Sequence, residues 1–560
     1  MKKVLLPIIL LTAIFGCKTE SKNHENQAQE KQAQGETLPF MWEGANLYFL
    51  MTDRFNNGDK TNDLNFDRTK TPGKLRGFQG GDLKGITQKI EEGYFTNLGI
   101  NAIWMTPVVE QIHGATDEGT GVSYGFHGYW AKDWTTIDPN FGTAEDLRNL
   151  VDAAHERGIR IVLDAVINHT GPVTEKDPVW PNDWVRTEPQ CQYSNYENTI
   201  TCTLVKNLPD IKTESNEEVD LPPQLIEKWK AEGRLEQEMA ELDAFFEKTG
   251  HPRAPRFYIM KWLSDYITDY GIDGYRCDTV KHTEEFVWEE FKTVCDNAFA
   301  EFKANHPDKI LDDSDFYLVG EVYNYGISGG KYFDFGDKKV NYYDDMFTSQ
   351  INFEYKWNAQ QMPKEALFQK YDSILHHQLK GYTVLNYLSS HDDGQPFDAM
   401  RQKPFESANL LMLTPGGSQV YYGDESARVL KVDSAQGDAN LRSAMNWKAI
   451  TNDSTTRAIL NHWQKLGQFR EQHPAIGAGK HRLISESPYL FSRELTLGEM
   501  EDVVLIGLDL KEGQKTLDVS SVFSEGNVVY DAYSNQEVKV SDGKVVIDSK
   551  FNLVLLELKK

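Results

Sequence analysis

Short apolar runs recur along the chain, with stretches of helical period between them. The runs at 46–51, 102–106, 160–167, 274–277, 316–320, 348–353, 383–388 and 419–422 read as eight β-strands. Residues 144–156 (AEDLRNLVDAAHE) and 256–269 place their apolar positions at helical spacing. Eight alternating units predict an α/β chain closed into a (β/α)8 TIM barrel. From about Arg482 the period changes. Short alternating runs (VVLIGLDL, NVVYDAY, KVVIDS, LVLLEL), separated by Gly, Asn, Asp and Ser, predict a C-terminal antiparallel β domain. Far more chain separates the ends of the third and fourth strands than separates the fourth from the fifth. The excess, 170–255, reads as a loop-rich inserted subdomain after strand 3, with a charged helical stretch at 223–248. The barrel then occupies 40–169 and 256–479, and the β domain 480–560.

The first residues break the pattern. MKKVLLPIILLTAIFG has a basic start and an apolar stretch too short to span a bilayer comfortably, the form of a secretory leader over 1–16. The run IFGC resembles a bacterial lipobox. That resemblance implies a lipidated Cys17 as the first mature residue and an exported lipoprotein of the outer membrane. Residues 17–39 are polar and read as a flexible tether. No later apolar run is long enough for a membrane span, so contact with a membrane is expected only through Cys17. Cys191 and Cys202 lie in a loop-like region of an exported chain, where a disulfide is expected. Cys277 and Cys295, in a predicted strand and helix, read as buried free thiols. The net charge of −26 argues against a nucleic-acid partner. The 12 Trp, 25 Tyr and 28 Phe suit sugar binding, and equally a large aromatic core.

In such a barrel the chemistry gathers at the carboxyl ends of the strands. Those ends read DAVINH (Asp164, Asn168, His169), GYRCDTVKH (Arg276, Asp278, Lys281, His282), GEVY (Glu321) and SSHDD (His391, Asp392). The loop after strand 2 carries SYGFHGYW, with His127 and Tyr129. Several carboxylates, no phosphate loop and many aromatics point to glycoside hydrolysis, which needs two carboxyls in different states. Arg276 lies two residues before Asp278 and favours an ionised nucleophile there. Glu321 follows an apolar run with no adjacent cation, so burial would keep it protonated as the acid. On neighbouring strands the two could stand about 5–5.5 Å apart, the retaining spacing. Asp392 and His391 could hold sugar hydroxyls, and Tyr129 offers a stacking face.

These residues sit in motifs that resemble the α-amylase family of retaining glycoside hydrolases. GINAIWMTP, DAVINH, LPDIK, GYRCDTVKH, GEVY, LSSHDD and GGSQVYYGDE occur in the family's order between about Ala45 and Gly479. GIRIVLDAVINHTG, LPDIKTES and HPAIGAGK look most like periplasmic α-amylases of Gram-negative bacteria. The resemblance implies Asp278 as nucleophile, Glu321 as acid/base and Asp392 as third carboxylate. It implies Arg276 as the residue orienting the nucleophile and Asp164 as structural. His127, His169, His391 and Tyr129 would bind the sugar being cleaved, and Lys281 and His282 would lie toward the leaving group. The departures are Phe126, where cyclodextrin-forming relatives carry Tyr, and Cys277 and Thr279 inside the fourth-strand motif.

The resemblance also implies Ca²⁺. One set of ligands would be Asn168, Asp210 and the carbonyl of His282. A second would be Asn57, Asp59, Asn62, Asp63, the carbonyl of Gly80 and Asp82. The substrate expected is an α-1,4-glucan, starch or maltodextrin, hydrolysed internally. An α-1,4-glucanotransferase or cyclomaltodextrin-acting enzyme on the same machinery is the alternative. A non-catalytic glucan-capture protein would show a lost carboxylate, and none is lost.

Overall fold

The computed structural model describes residues 39–117 and 119–559. The leader, Cys17 and nearly all of the tether lie outside the described residues. Eight parallel strands close a barrel: β1 (Asn46–Leu50), β2 (Ala102–Met105), β3 (Arg160–Ala165), β4 (Gly274–Cys277), β5 (Tyr317–Gly320), β6 (Ser349–Asn352), β7 (Thr383–Tyr387) and β8 (Gly417–Tyr421). Each pairs with its sequence neighbours, and β8 closes on β1 with Asn46 opposite Ser418. Every residue of all eight is buried. With helices outside and packed side chains within, neither face meets water, so most of these segments read as apolar runs rather than alternating ones, SQIN of β6 being the clearest exception.

The outer helices carry their own stop and start signals. α1 (Ala144–His155) opens with a capping box: Thr143 Oγ1 accepts from the Asp146 N–H, and the Asp146 carboxylate accepts from the Thr143 N–H. α2 (Pro255–Tyr270) begins with Pro at its first turn and ends at Gly271, whose φ of +71° suits glycine.

The stretch 170–255 holds a two-stranded ladder, Val185–Arg186 with Asp210–Ile211, and the bonded pair Cys191–Cys202. Cys277 and Cys295 are free and buried. The charged stretch at 223–248 is two helices, α3 (Pro223–Ala231) and α4 (Leu235–Thr249). Gly233, at φ +73°, turns the chain between them. They bury Trp229 and Phe246 edge-on to Trp262 and Tyr258 of α2.

The short strand pairs in the loops had no counterpart in the sequence pattern, and one of them carries a buried charge. Ala131–Ile137 runs antiparallel to Val109–Gln111 in the loop after β2. Its apolar pattern is interrupted by a fully buried carboxylate, Asp133. That group accepts from Lys228, Trp229 and Arg234 of the distant inserted stretch, and from Thr135. Nothing local marks such a residue as internal.

Beyond the barrel, six strands form an antiparallel sheet in the spatial order Lys480–Glu486, Tyr489–Leu497, Met500–Leu508, Val554–Leu558, Val528–Asp531, Gln536–Lys539. Gly513–Asp518 pairs with Lys544–Ser549 and closes a second apolar cluster around Leu505, Phe523 and Ile547. His473, at the end of the last long barrel helix, clasps this domain. Its Nδ1 lies 2.7 Å from Asp502 and its Nε2 2.9 Å from Glu557. Burial alone would lower its pKa; the two carboxylates outweigh burial and raise it to about 9. Among the described residues, no helix is long and apolar enough to cross a membrane.

Candidate active site

Strand register builds the site. Arg276 of β4 pairs with Asp164 of β3 on one side and Val319 of β5 on the other, and Cys277 pairs with Gly320. The chain then continues in parallel. The Asp278 N–H donates to the Ala165 carbonyl, and the Glu321 N–H to the Cys277 carbonyl, both at 2.9 Å. Asp278 and Glu321 therefore stand side by side at the carboxyl ends of adjacent strands.

One guanidinium, its side chain 1% exposed, joins three carboxyls. Arg276 Nη1 lies 2.9 Å from Asp164 Oδ1 and 2.6 Å from Asp278 Oδ1; Nη2 lies 2.8 Å from Glu321 Oε1. This corrects the expectation that Glu321 has no cation beside it. Arg276 precedes Asp278 in sequence but faces both flanking strands. Glu321 is nonetheless pushed well above the usual carboxyl range. Burial is the main cause, and the charges of Asp278 and Asp392 add to it against Arg276. Its other oxygen, Oε2, accepts from the N–H of Thr279 at 2.9 Å. Thr279 itself holds a left-handed φ of +51°.

Burial also opposes ionisation of Asp392, but His391, Arg276 and Arg442 overcome it and hold this carboxyl low. Glu321 beside it also favours the ionised form of Asp392. Environment thus drives two neighbouring carboxyls apart in pKa.

An aromatic wall completes the cavity. Tyr129 stacks with His391, centroids 5.2 Å apart, and with His127 at 5.8 Å. Its hydroxyl donates to Asp164 Oδ2 at 2.7 Å, where Trp104 Nε1 also donates at 3.1 Å. Burial pushes His127 and His169 down and His391 to about 4, so all three are neutral hydrogen-bonding groups near pH 7. His169 Nε2 donates to the Tyr129 carbonyl at 3.1 Å, and its buried Nδ1 has no protein partner. Lys281 Nζ donates to the Tyr323 carbonyl at 3.1 Å. The ring of His282 turns the other way, Nδ1 donating to the Thr199 carbonyl of the inserted stretch at 2.9 Å. The contributions of Trp104, Thr279 and Arg442 were not visible in the sequence. Trp104 lies within the motif GINAIWMTP. Arg442, whose Nε donates to the His391 carbonyl at 2.9 Å, comes from the loop after β8 and carries no local signal.

The candidate metal ligands form two groups. Asn168 and Asp210 meet where β3 reaches the inserted stretch: the Ile211 N–H donates to the Asn168 carbonyl at 2.8 Å. Asp210 Oδ1 is buried without a partner, while its Oδ2 lies 3.3 Å from Arg186 and Asn168 Oδ1 accepts from Thr283 at 3.3 Å; burial drives the Asp210 pKa well up. A buried carboxylate oxygen with no donor suits a cation. In the second group, Asn57 Nδ2 donates to Asp63 Oδ1 at 2.8 Å, and the buried Oδ1 atoms of Asn57 and Asn62 lack partners. A Cβ on Gly80 would stand 2.4 Å from Asn57 and 2.5 Å from Asp63, so glycine keeps this cradle open. Asp82 already accepts from the N–H groups of Gly58, Asp59 and Gly85, and Asp59 pairs with Lys84 and Thr61. Among the described residues, no three His, Cys, Asp or Glu side chains are grouped to hold a metal by themselves.

A parallel barrel with two carboxyls on adjacent strands sharing one guanidinium at its carboxyl rim, one of them raised in pKa by burial, is the architecture of a two-carboxylate glycoside hydrolase. Residues 49–479 match the α-amylase catalytic domain, and the chain belongs to the α-amylase family. It is 35% identical over 523 residues to the periplasmic α-amylase of Escherichia coli, covering 82% of this chain and 71% of that one. It is 26% identical over 531 residues to the cyclomaltodextrin glucanotransferase of Thermoanaerobacterium thermosulfurigenes, covering 88% of this chain and 63% of that one. The fold superimposes on an Anoxybacillus α-amylase with a TM-score of 0.62 at 24% identity, over 93% of this chain and all of the other.

Proposed function

We propose that the protein is an exported α-amylase that hydrolyses internal α-1,4 bonds of starch and maltodextrins with retention of configuration. The observation that carries this is Arg276 bound to both Asp278 and Glu321 at the carboxyl ends of adjacent strands, with burial raising the Glu321 pKa. Asp278, ionised beside the guanidinium, attacks the anomeric carbon as Glu321 gives its proton to the departing oxygen. A glycosyl ester on Asp278 results. Glu321, now a carboxylate, takes a proton from water, and the oxygen of that water displaces Asp278. Asp392 and the neutral histidines hold hydroxyls of the sugar stacked on Tyr129.

The test is a product profile on soluble starch. Linear oligosaccharides with rising reducing ends and an initial α-anomer are expected. Cyclic or disproportionated products would instead establish the glucanotransferase reading, and retained binding without turnover the capture reading.

Calcium fits both groups of oxygens, and bound there it supplies positive charge rather than chemistry. Asn168, Asp210 and the His282 carbonyl would hold one ion, tying the end of β3 to the inserted stretch. Asn57, Asn62, Asp63 and the Gly80 carbonyl would hold another; Asp59 and Asp82 would first have to release their present partners. Chelation is expected to lower Tm by several degrees, since a ligand at a hundredfold excess over Kd contributes about 2.7 kcal/mol. Asp210→Asn should abolish the response of the first site. Protein that contains no calcium by elemental analysis and melts unchanged after chelation removes both sites. The lipobox supports anchoring through Cys17 to the outer membrane.

A further inference from the structure

Beyond Glu321 the chain forms a hairpin that the mechanism above does not use. Tyr332–Asp334 pairs antiparallel with Lys339–Asn341, Phe333 opposite Val340. The turn is closed by the Gly336 N–H on Asp334 Oδ1 at 2.8 Å and the Phe335 N–H on the Lys338 carbonyl at 2.8 Å. The hairpin is bolted at its far end to the inserted stretch. The Tyr196 N–H donates to Asp337 Oδ1 at 2.9 Å, Lys338 lies 3.7 Å over the Tyr196 ring, and Glu285 binds both Lys338 and the Tyr196 hydroxyl. Such a device holds its side chains in place before any ligand arrives.

Its near end adjoins the site. Tyr323, two residues past Glu321 and 41% exposed, shares one cation with the hairpin: Lys281 Nζ lies 5.3 Å from the rings of both Tyr323 and Phe333. Phe333 packs edge-on to Phe335 at 5.0 Å, and Phe335 edge-on to Tyr196 at 5.1 Å. Phe333, Phe335 and Tyr196 are all half-buried. An aromatic path therefore runs from the loop of Glu321 to the inserted stretch. The direction matters. A general acid must touch the departing oxygen, so the departing part of a chain lies against the loop that carries Glu321.

We propose that the hairpin 332–341 is a platform for the leaving-group half of long α-1,4-glucans, with Phe333 and Phe335 as its apolar faces. The claim rests on the α-amylase reading and adds where a long substrate runs. A short glycoside with an aryl leaving group places a single ring beyond Glu321, whereas amylose places many sugars along the hairpin.

The test compares kcat/KM on amylose with kcat/KM on an aryl maltotrioside, for the parent and for the Phe333→Ala/Phe335→Ala double variant. The ratio is expected to fall about tenfold, equivalent to ~1.4 kcal/mol of lost binding. Maltoheptaose cleavage should move to bonds with fewer sugars on the departing side. A Phe333→Leu/Phe335→Leu variant keeps apolar volume without flat faces and should show the same shift if the alanine protein fails to fold. An unchanged ratio and an unchanged cleavage pattern in a folded variant overturn the platform. A parent protein inactive on every glucan would overturn the α-amylase reading instead.

Discussion

Asp278→Asn should lower kcat on soluble starch by about four orders of magnitude, ~5.5 kcal/mol of barrier, while the protein melts close to the parent. The amide keeps the shape and the contact to Arg276 Nη1 but cannot form the ester on which retention depends. Glu321→Gln should cost as much on starch, because the departing sugar then leaves without a proton. The two differ on a substrate with a good leaving group. With an α-maltosyl fluoride the first step needs no acid, so the Glu321→Gln protein should form its glycosyl ester at near-parental rate and the Asp278→Asn protein should not. Near-normal starch hydrolysis by either variant would end the assignment of that residue.

Arg276→Met should be the most damaging change to stability. It leaves Asp164, Asp278 and Glu321 buried without their shared cation. Removing one partner of a buried ionic group costs about 3–5 kcal/mol, because the remaining charge stays desolvated. Carboxyls whose folded pKa is raised contribute stability below their unfolded pKa and lose it as pH rises through the folded value. The deficit should therefore be smallest in mild acid and grow toward neutral pH. Arg276→Lys should recover only part of the stability, since one ammonium cannot serve Nη1 and Nη2 positions together. Denaturant unfolding at several pH values measures this. A methionine variant as stable as the parent at pH 7 would mean that the guanidinium does not balance these charges.

The barrel could be read from the sequence because its strands are buried on both sides, and a short apolar core such as IVL within RIVLDA suits a strand covered on both faces. The ends of those runs marked Asp278 and Glu321 for the same reason: a charged residue directly after a core strand faces the rim, while Asp164 lies inside β3 and Asp392 five residues beyond β7. What escaped was lateral. Proximity in sequence links Arg276 to Asp278, yet its pairing with Val319 brings it equally to Glu321. Register between strands is set by the closed sheet, not by either strand alone. Arg442 and the partners of Asp133 escaped similarly, since their contacts join segments far apart in the chain. Asp82 shows the converse. Its place in a calcium-like motif was visible, but not that its carboxylate already caps the helix Leu83–Glu91.

The adjacency of Asp278 and Glu321 has a stereochemical consequence. Both follow directly on residues paired across β4 and β5, Cys277 and Gly320, so the gap between their Cα atoms is governed by the inter-strand pitch of about 4.8 Å. The Cα spacing on which the carboxyl-to-carboxyl distance of a retaining site is built is thus inherited from the hydrogen-bond lattice of the barrel. Substitutions in the surrounding loops can change what is bound and how fast it turns over, but the anomeric outcome should persist for as long as those two strands remain neighbours.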